Sequence, residues 1–516
     1  MKKLSFILTK LILIVSFILL ASFVVTTFFS KTYLALSGNN VDIYFFKQNF
    51  GTIILFVLGI LFSPFLLKIS KTLTKKGLFW SLASLYLLFG CYLIFNVTDL
   101  LRADAAAVYS IAHQFNQGNY QEMTTVGGYL YFHPHQLGLV SFERFYAFFS
   151  NSPRLVFIGN LLMVIGINWL QLKVSELLFP NKDDFHTFTI LLSYAFLPLL
   201  FFILFAYGSI PGLFFSLLGY YFILLWDKGG RIRVLWLPLA GSSFALASLI
   251  RNNYQIFSLA ILVCLFLKFL RTKGIRYVLA SLILLITSFL FGFVQNLYYQ
   301  QITHQPIPVG VPKSAYVSMG IRHEPAYRVG GWYTGYNTAI YAQNEFDNKR
   351  TDQGAKVDIQ NRLQEFAKTP SMALKFFAGK IRSTWLEPTY QSVWSGPLNT
   401  HNDKVDGILL KSIYREKIGY RMLTIWDAVV MLLIFGFSLI AILTIWKSSL
   451  LADEFRLLPF IYFIGGFTFH LFWETKSQYV FPYVYCLIPL AAYGLFIYKE
   501  TLRNHLARKE KATTAS

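Results

Sequence analysis

Charged residues are scarce in this chain, and cysteines are scarcer still. Asp, Glu, Lys and Arg make up 14% of the 516 residues, whereas hydrophobic residues make up 55%. Soluble domains carry roughly a quarter charged residues, so this composition excludes one and indicates a polytopic membrane protein. The cysteines Cys91, Cys264 and Cys486 all fall in apolar stretches. We interpret them as packing residues, which excludes a disulfide or cysteine-based metal framework.

Two further features of the sequence narrow the range of possible functions. The sequence contains no glycine-rich phosphate loop and no strand–helix nucleotide-binding pattern, which argues against a nucleotide-sugar donor. Lys and Arg outnumber Asp and Glu by 46 to 25, for a net charge of +21. These basic residues are spread over many loops rather than packed onto one soluble domain. We therefore predict no nucleic-acid partner and expect contact with anionic membrane lipids.

Long apolar stretches are what the chain has in abundance. A helix needs about 20 mostly apolar residues to cross a bilayer, and twelve stretches approach that length. We predict an all-α polytopic membrane protein with about 12 transmembrane helices. The predicted spans are Leu4–Phe29, Phe50–Leu67, Leu78–Phe95, Leu155–Leu178, Thr187–Phe205, Pro211–Trp226, Val234–Ile250, Gln255–Phe269, Tyr277–Val294, Met422–Trp446, Leu457–Trp473 and Val480–Tyr498.

Lysine and arginine predict the orientation of these spans, because short cytoplasmic loops carry an excess of both. With the N-terminus inside, the short inner loops hold residues such as Lys75, Lys228 and Arg271, whereas the short outer turns hold few basic residues. Both termini are then cytoplasmic, in a multi-pass protein of the cell membrane. The first span lacks a small-residue cleavage site, so we predict that it is retained as an anchor.

Only two gaps between the spans are long, and both fall on the outer side. Two polar segments that converge on one membrane face predict a site there, with an extracytoplasmic active face. The gaps also divide the chain into regions. We predict an N-terminal transmembrane hairpin (1–77), a transmembrane core (78–297) that includes the first outer loop (97–154), a second outer loop region (298–421), and C-terminal transmembrane helices with a basic cytoplasmic tail (422–516).

The first outer loop is the most informative segment. Asp99 and Asp104 lie just past the end of the third span. Helical spacing over Ala105–Phe115 predicts a helix lying flat at the membrane interface, and Pro134 begins a second short amphipathic helix. A carboxylate between two interfacial helices favours a base held over a lipid-linked substrate. The alternative for both aspartates is helix capping and solvated charge.

His133 and His135 form a His-x-His pair in the same loop. Such a pair alone is a weak metal signal, because metal ligands normally come with a third or fourth partner. The alternative is that both are interface histidines with backbone partners. The sequence requires no cofactor, and it is compatible with a divalent metal held by Asp104 and one of these histidines.

The first outer loop also carries an ordered motif. An aspartate after an early span is followed by A-x-x-F-x-x-G-x-Y and by aromatic-x-x-P-x-Q-x-G-L ahead of an apolar helix. This order resembles the first outer loop of GT-C glycosyltransferases, closest to the bacterial branch related to protein O-mannosyltransferases and aminoarabinose transferases. In that family the loop usually follows the first span, which implies an added N-terminal hairpin here. The matching residues are Asp104, Ala112, Phe115, Gly118, Tyr120, Tyr131, Pro134, Gln136, Gly138 and Leu139.

Two later stretches extend the resemblance. Trp473–Tyr479, with Pro482, resembles the E-x-x-x-x-Y-x-x-P turn before the last span of such enzymes. Many relatives have arginine where this chain has Gln478, so Lys476 is the candidate cation of the turn. Met319–Ile321 and Gly331–Tyr333 resemble the M-G-L and G-W-Y-N parts of a segment found in Gram-positive members.

Basic residues close to the membrane are the candidates for binding a donor phosphate. Arg251 sits in a very short outer turn, and arginine binds phosphate oxygens with two hydrogen bonds. Lys375, Lys380 and Arg382 surround a basic amphipathic helix predicted over Ser371–Leu386. The alternatives are a snorkelling arginine and a helix that merely covers the spans.

The resemblance implies an integral membrane transferase that inverts the sugar it moves. The donor would be a polyprenyl-phosphate (undecaprenyl-phosphate) sugar, and the acceptor an extracytoplasmic cell-wall glycopolymer, teichoic acid or protein. Asp104 matches the family aspartate and would act as the general base, with Asp99 second. The implied donor-phosphate ligands are Arg251, Lys476, Lys375, Lys380 and Arg382, and the implied substrate-binding residues are His133, His135, Gln136, Glu474, Tyr479 and Trp332.

Two other functions are compatible with the same topology. Twelve spans with both termini inside also describe the commonest secondary transporters, and a lipid-linked oligosaccharide flippase would look similar. Those proteins contain two similar six-span halves, and no such repeat is visible here. A polysaccharide polymerase or ligase would share the outer face and the lipid-linked substrate. Its catalytic residues would be expected in the second outer loop rather than at Asp104.

Overall fold

The protein forms a bundle of α-helices with one small β-hairpin. The computed structural model describes residues 1–36, 41–70, 74–180, 183–230, 233–324, 328–397, 404–447 and 453–514, without the side chains of 64–70 and 509–514. The helices follow the long apolar stretches, because a backbone in lipid must satisfy its hydrogen bonds within the segment itself.

The N-terminal region departs from an all-helical fold. Two antiparallel strands, which the sequence analysis did not predict, join the first two helices, with Ser30 paired opposite Lys47. The strands are short, and β-branched and aromatic side chains such as Thr32 and Tyr33 suit a half-buried hairpin. The elements are α1 (Lys2–Phe29), β1 (Ser30–Ala35), β2 (Asp42–Lys47), α2 (Phe50–Ser70) and α3 (Lys75–Asn96).

The first outer loop is helical where its periodicity predicts helices. Gly118 ends the first of them with a left-handed backbone (φ 80°), which glycine adopts without strain. A 3-10 turn at Pro134–Gln136 leads into the second amphipathic helix. The helices of this loop are α4 (Ala103–Asn116), α5 (Gln121–Thr124), α6 (Tyr129–Phe132) and α7 (Leu137–Phe149).

The fifth predicted span, Thr187–Phe205, is not one straight helix. Its two parts are bent by 49° at a break before Pro198. Proline lacks the N–H that a continuing helix needs and disfavours helical geometry in the residue before it, which explains the break. The core helices are α8 (Arg154–Leu178), α9 (Asp183–Ala195), α10 (Pro198–Phe201), α11 (Ser209–Lys228), α12 (Arg233–Ile250), α13 (Gln255–Thr272) and α14 (Ile275–Thr303).

The second outer loop region is also mostly helical, and the helix predicted over Ser371–Leu386 is present as Pro370–Trp385. The helix before it begins at Asn348, where the Asp347 side chain caps it. The remaining helices are α15 (Lys313–Ile321), α16 (Tyr336–Gln343), α17 (Asn348–Lys368), α18 (Pro370–Trp385), α19 (Ile408–Tyr414), α20 (Ile418–Lys447), α21 (Leu458–Phe472), α22 (Phe481–Tyr485) and α23 (Ile488–Thr514).

Ten helices among the described residues are long and apolar enough to cross a membrane, or eleven if the bent pair counts as one span. Helix α2 is counted in neither number; the part of it whose side chains are described, Phe50–Ser63, is apolar. The protein is therefore a multi-pass membrane protein, whereas the number twelve stays a prediction. Peripheral and central helices differ in the share of their residues that is buried. In the most apolar stretch of α14, 17% of the residues are buried, whereas in that of the final span, Phe481–Arg508, 83% are buried.

The N-terminal helices pack into the body of the bundle. Helix α1 contacts α20, α13 and α21, and α2 contacts α20. At the centre, the Phe23 ring of α1 lies 5.8 Å from the Trp385 ring at the end of α18. Helices α20 and α23 approach closely at Gly494, where a Cβ atom would lie 1.9 Å from the Phe437 carbonyl oxygen. The core thus joins both ends of the chain.

Candidate active site

One large cavity lies where both outer loops meet the ends of the bundle helices. Its volume is about 680 Å³. The first outer loop contributes residues around Asp104 and 129–136, and the second contributes residues between Val309 and Asp352. Short turns between the helices supply the remaining wall, including Tyr207, Arg251–Asn253 and Trp473–Tyr479. Segments far apart in sequence therefore form one polar chamber at one end of the bundle.

Asp104 is the second residue of α4 and faces the cavity. The helix N-terminus stabilises a negative charge at this position. Its Oδ2 atom accepts a hydrogen bond from the Tyr207 hydroxyl at 3.1 Å, and that hydroxyl accepts one from Gln136 Nε2 at 2.7 Å. Ala103, just before the aspartate, has a left-handed backbone (φ 40°), a strained conformation that functional sites often hold. The aspartate is thus oriented by its neighbours.

Arg251 follows the last residue of α12 and lines the same cavity. Its guanidinium donates a hydrogen bond to the Tyr207 backbone carbonyl and lies 4.7 Å from the Tyr207 ring centre and 5.5 Å from that of Tyr479. Among the described residues no carboxylate lies within ion-pair distance of it. Its positive charge is therefore held by a carbonyl and two aromatic faces and is available to an anionic ligand.

Lys476 belongs to the turn that follows α21. Its ammonium lies 2.6 Å from Glu474 Oε1, and Glu474 Oε2 accepts a hydrogen bond from the Tyr479 hydroxyl at 3.1 Å. Burial alone would lower the Lys476 pKa, but the negative charge of Glu474 and its hydrogen bond to the ammonium outweigh burial and raise the pKa above its ordinary value. Lysine, glutamate and tyrosine thus form one small network in which Lys476 stays a cation.

The histidines of the first outer loop also line the cavity. His133 Nδ1 shares a hydrogen bond with the Tyr316 hydroxyl at 2.8 Å, and the His133 and His135 rings lie 5.8 Å apart. Burial lowers the pKa of both histidines, and the positive charges of Arg251 and Lys313 lower the pKa of His135 further. Both rings therefore stay neutral near pH 7. Within the described ranges, no group of three or more His, Cys, Asp or Glu side chains is arranged to hold a metal ion.

Aromatic rings cover much of the cavity wall. The Tyr316 and Trp473 rings stack with centres 5.1 Å apart and planes 7° from parallel. Tyr129, Tyr333 and Tyr479 add further rings. Flat aromatic faces carry partial negative charge and pack well against the C–H groups of a sugar ring. The wall can thus bind a polar ligand that also has an apolar face.

Not all of the predicted site residues lie in this cavity. Those that line it are Asp104, Arg251, Lys476, His133, His135, Gln136, Glu474 and Tyr479. The predicted residues outside it are Asp99, Lys375, Lys380, Arg382 and Trp332.

Each outlying residue has an environment of its own. Asp99 accepts a hydrogen bond from Ser152 Oγ at 2.6 Å, and Lys375 is exposed to solvent. Lys380 is buried and donates hydrogen bonds to the Gly320 and Trp473 carbonyls. Arg382 bonds Ser30 and packs over the Phe45 ring, and Trp332 is buried in the core. The basic helix α18 therefore braces the protein rather than facing the cavity.

Sequence reasoning missed several residues of the cavity, and Tyr207 is the most important. It links Asp104 and Arg251, yet it lies in the short gap between the predicted spans Thr187–Phe205 and Pro211–Trp226. The sequence signal beside it is Gly208, and the structure gives the reason for that glycine: its backbone is left-handed (φ 73°), and a Cβ atom would lie 2.9 Å from the Ile250 carbonyl oxygen. The other missed residues include Tyr316, Tyr333, Lys313 and Asn337.

The cavity combines a carboxylate, an arginine without a carboxylate partner, a lysine held by glutamate, and aromatic walls. The carboxylate can take up a proton, the cations can bind phosphate oxygens, and the rings can hold a sugar.

Comparison of the chain with protein-family models, with curated proteins and with solved structures finds no match in any of the three.

Proposed function

We propose that this protein is a membrane glycosyltransferase of the GT-C kind, which moves a sugar from a polyprenyl-phosphate donor to an extracytoplasmic acceptor. One observation carries the proposal: Asp104, chosen from the sequence as the general base, and Arg251 and Lys476, chosen as donor-phosphate ligands, line one cavity of about 680 Å³. The cavity lies at the ends of membrane helices, where a lipid-linked phosphate and a water-soluble acceptor can meet.

In the proposed reaction the acceptor hydroxyl attacks the anomeric carbon of the donor sugar. Asp104 takes the hydroxyl proton while the new C–O bond forms and the bond from the anomeric carbon to the phosphate oxygen breaks. Attack comes from the face opposite the leaving phosphate, so the configuration inverts. Tyr207 donates a hydrogen bond to one Asp104 oxygen, which leaves the other free for the proton.

The leaving group is a polyprenyl phosphate, which departs as a stable anion and needs cations rather than an acid. Arg251 offers a planar guanidinium that pairs with no carboxylate among the described residues, and Lys476 offers an ammonium group whose pKa is raised. Tyr207 contacts both the Asp104 carboxylate and Arg251, so it couples the base to the phosphate site. Polyprenyl phosphate-sugar, acceptor and membrane lipid are the partners of this scheme.

A direct assay tests this function. Purified protein in lipid nanodiscs would be incubated with a synthetic undecaprenyl-phosphate sugar, with and without soluble cell-wall glycan fragments. We expect release of undecaprenyl phosphate that requires the protein and formation of a glycosylated fragment with inverted anomeric configuration. Intact donor after prolonged incubation with a panel of sugars and acceptors would overturn the proposal.

The bent helix pair at Pro198 is the observation that favours a transporter or flippase, because broken helices form the binding sites of many transporters. In such a protein a labelled lipid-linked sugar would cross the bilayer of a proteoliposome without losing its phosphate link. The same nanodisc assay and a parallel liposome assay distinguish this outcome from transfer.

A further inference from the structure

A buried, irregular segment follows helix α18 and packs behind the candidate active site. Residues 387, 389–393 and 395 are all at most 3% exposed. Non-helical backbone at such depth is tolerated when the surrounding protein satisfies its polar groups. Tyr390 (φ 50°) and Gln391 (φ 59°) adopt the left-handed conformation, which costs energy for residues other than glycine. The segment is therefore held in place by specific contacts.

Glu387 is the centre of those contacts. Its Oε1 atom accepts hydrogen bonds from the Thr389 backbone N–H at 2.8 Å and the Thr389 hydroxyl at 2.6 Å. Its Oε2 atom accepts from the Gln391 N–H at 2.7 Å and from the Ser477 hydroxyl at 2.8 Å. Burial raises the pKa of the Glu387 carboxyl, and the four hydrogen bonds oppose that rise because they favour the charged form. Four donors directed at both oxygens are the pattern of an ionised carboxylate.

The Ser477 bond ties this segment to the turn that carries Lys476 and Tyr479. Two more bonds reach the next residue of the turn: Ser395 Oγ donates to Gln478 Oε1 at 2.6 Å, and the Gln478 N–H donates to Gln391 Oε1 at 3.4 Å. The turn is thus braced from behind at two consecutive positions, directly beside the lysine that lines the cavity.

The other side of the turn is held by the second outer loop. The Thr475 N–H donates to the Gly331 carbonyl at 2.7 Å and its hydroxyl to the Gly330 carbonyl at 2.9 Å. Lys380 donates to the Trp473 carbonyl at 2.5 Å. Lys476 therefore projects into the cavity from a backbone that is fixed on both sides.

We propose that Glu387 is a positioning residue for the active site: its carboxylate fixes the turn Trp473–Tyr479 and so sets where Lys476 meets the donor phosphate. The bracing itself is independent of the proposed function, whereas its effect on donor binding rests on that function. Glu387 does not line the cavity and would act only through Ser477 and the backbone.

Substitution of Glu387 by glutamine tests the carboxylate without changing its size. One oxygen of the glutamate becomes an NH₂ group, which is a donor. In one orientation of the amide the NH₂ group would face the Thr389 backbone N–H, and in the other it would face the Gln391 backbone N–H. A hydroxyl group lies beside it in both cases. One strong hydrogen bond is then replaced by a repulsive contact, which loosens the segment and the turn.

Hydrogen exchange measured by mass spectrometry on the full-length protein in nanodiscs reads the bracing directly. In Glu387→Gln we expect amides of Thr475–Val480 to exchange at least tenfold faster than in the wild type. Glu143→Gln is the matched control, because Glu143 is equally buried on α7, remote from the turn. Equal exchange in Glu387→Gln and the control would overturn the proposal, whether or not the protein transfers sugars.

Kinetics then test the consequence for the donor. Ser477→Ala removes a single bond of the brace, and we expect the KM for undecaprenyl-phosphate sugar to rise roughly tenfold with kcat within about twofold. In a Lys476→Gln background, the same substitution should have no further effect on KM, since the brace acts through that lysine. Additive effects of the two substitutions, or an unchanged KM in an active Ser477→Ala variant, would overturn the positioning role. Absence of transfer by the wild type would instead refute the proposed function.

Discussion

The two ends of the helix bundle treat their charged residues differently. At the end opposite the cavity, basic residues are matched with carboxylates: Arg271 lies 2.9 Å from Glu454, and Lys75 lies 2.8 Å from Glu176. Lys268 bonds Asp227 in the same way. Such pairs tie neighbouring helix ends together and neutralise their charge.

At the cavity end, the charges are held by different groups. Arg251 bonds a backbone carbonyl and lies over aromatic rings, and Asp104 accepts a hydrogen bond from a tyrosine hydroxyl. Two residues of the cavity are exceptions, because Lys476 pairs with Glu474 and Asp352 pairs with Lys356. A charged side chain that is held by neutral groups is not neutralised within the protein, so its charge can act on a ligand. Such side chains are often found at functional sites. The contrast supports the proposal that the site lies at the cavity end.

The largest expected effect is the all-or-none labelling of single cysteines, which tests whether the two ends face opposite sides of the membrane. In a variant without the three native cysteines, Thr125→Cys and Ser371→Cys at the cavity end should react with an impermeant maleimide in intact cells. Thr74→Cys at the other end should react only after permeabilisation. All three side chains lie at partly or fully exposed positions. Protection of either cavity-end probe in intact cells would reverse the orientation.

Loss of the carboxylate at the cavity should have the next largest effect. Asp104→Asn keeps the shape of the side chain but cannot take the acceptor proton, so we expect kcat to fall by about 10²- to 10⁴-fold. Asp99→Asn is the control, because Asp99 bonds Ser152 outside the cavity. Single-turnover transfer in nanodiscs measures both. Comparable losses in the two variants would remove Asp104 as the base.

The two arginines at opposite ends provide a matched pair. Arg251→Gln should raise the KM for donor roughly ten- to a hundredfold, since a charge-assisted hydrogen bond to phosphate is lost. Arg251→Lys should recover only part of that loss, because lysine lacks the planar fork. Arg271→Gln should instead lower thermal stability and leave the donor KM unchanged, because it leaves Glu454 buried without its partner. A donor KM that responds equally to both glutamine variants would contradict the contrast between the ends.

The smallest effect concerns Lys380, the buried lysine behind the turn. Burial lowers its pKa from 10.5 to about 7, against the attraction of Glu474. Between those values the unfolded chain binds more protons than the folded protein, so stability rises with pH over this window. We expect the unfolding temperature to increase from pH 7 to pH 9. Each kcal/mol added to the free energy of unfolding should raise that temperature by on the order of 1 °C. Lys380→Met should lose this increase, and an unchanged slope in that variant would refute it.

Much of the architecture was accessible from sequence because it depends on local patterns. Apolar length predicted the membrane helices, and 3.6-residue periodicity predicted α4, α7 and α18. Arg251 and the two aspartates after the third span were found because charged residues are conspicuous at the ends of apolar stretches. The resemblance to GT-C glycosyltransferases then singled out Asp104 and Lys476. Composition and periodicity thus determined the class of protein and the helices, and the resemblance supplied much of the candidate site.

Only the tertiary structure decided how these parts are used. Lys380 and Asp104 both stood near predicted membrane edges, yet one is buried against two carbonyls and the other faces the cavity. Tyr207 and Glu387 gain their partners 103 and 90 residues away in the chain. Such contacts depend on how helices pack across the whole bundle, and no local pattern records them. The sequence therefore determined which residues were available, and packing decided which of them meet.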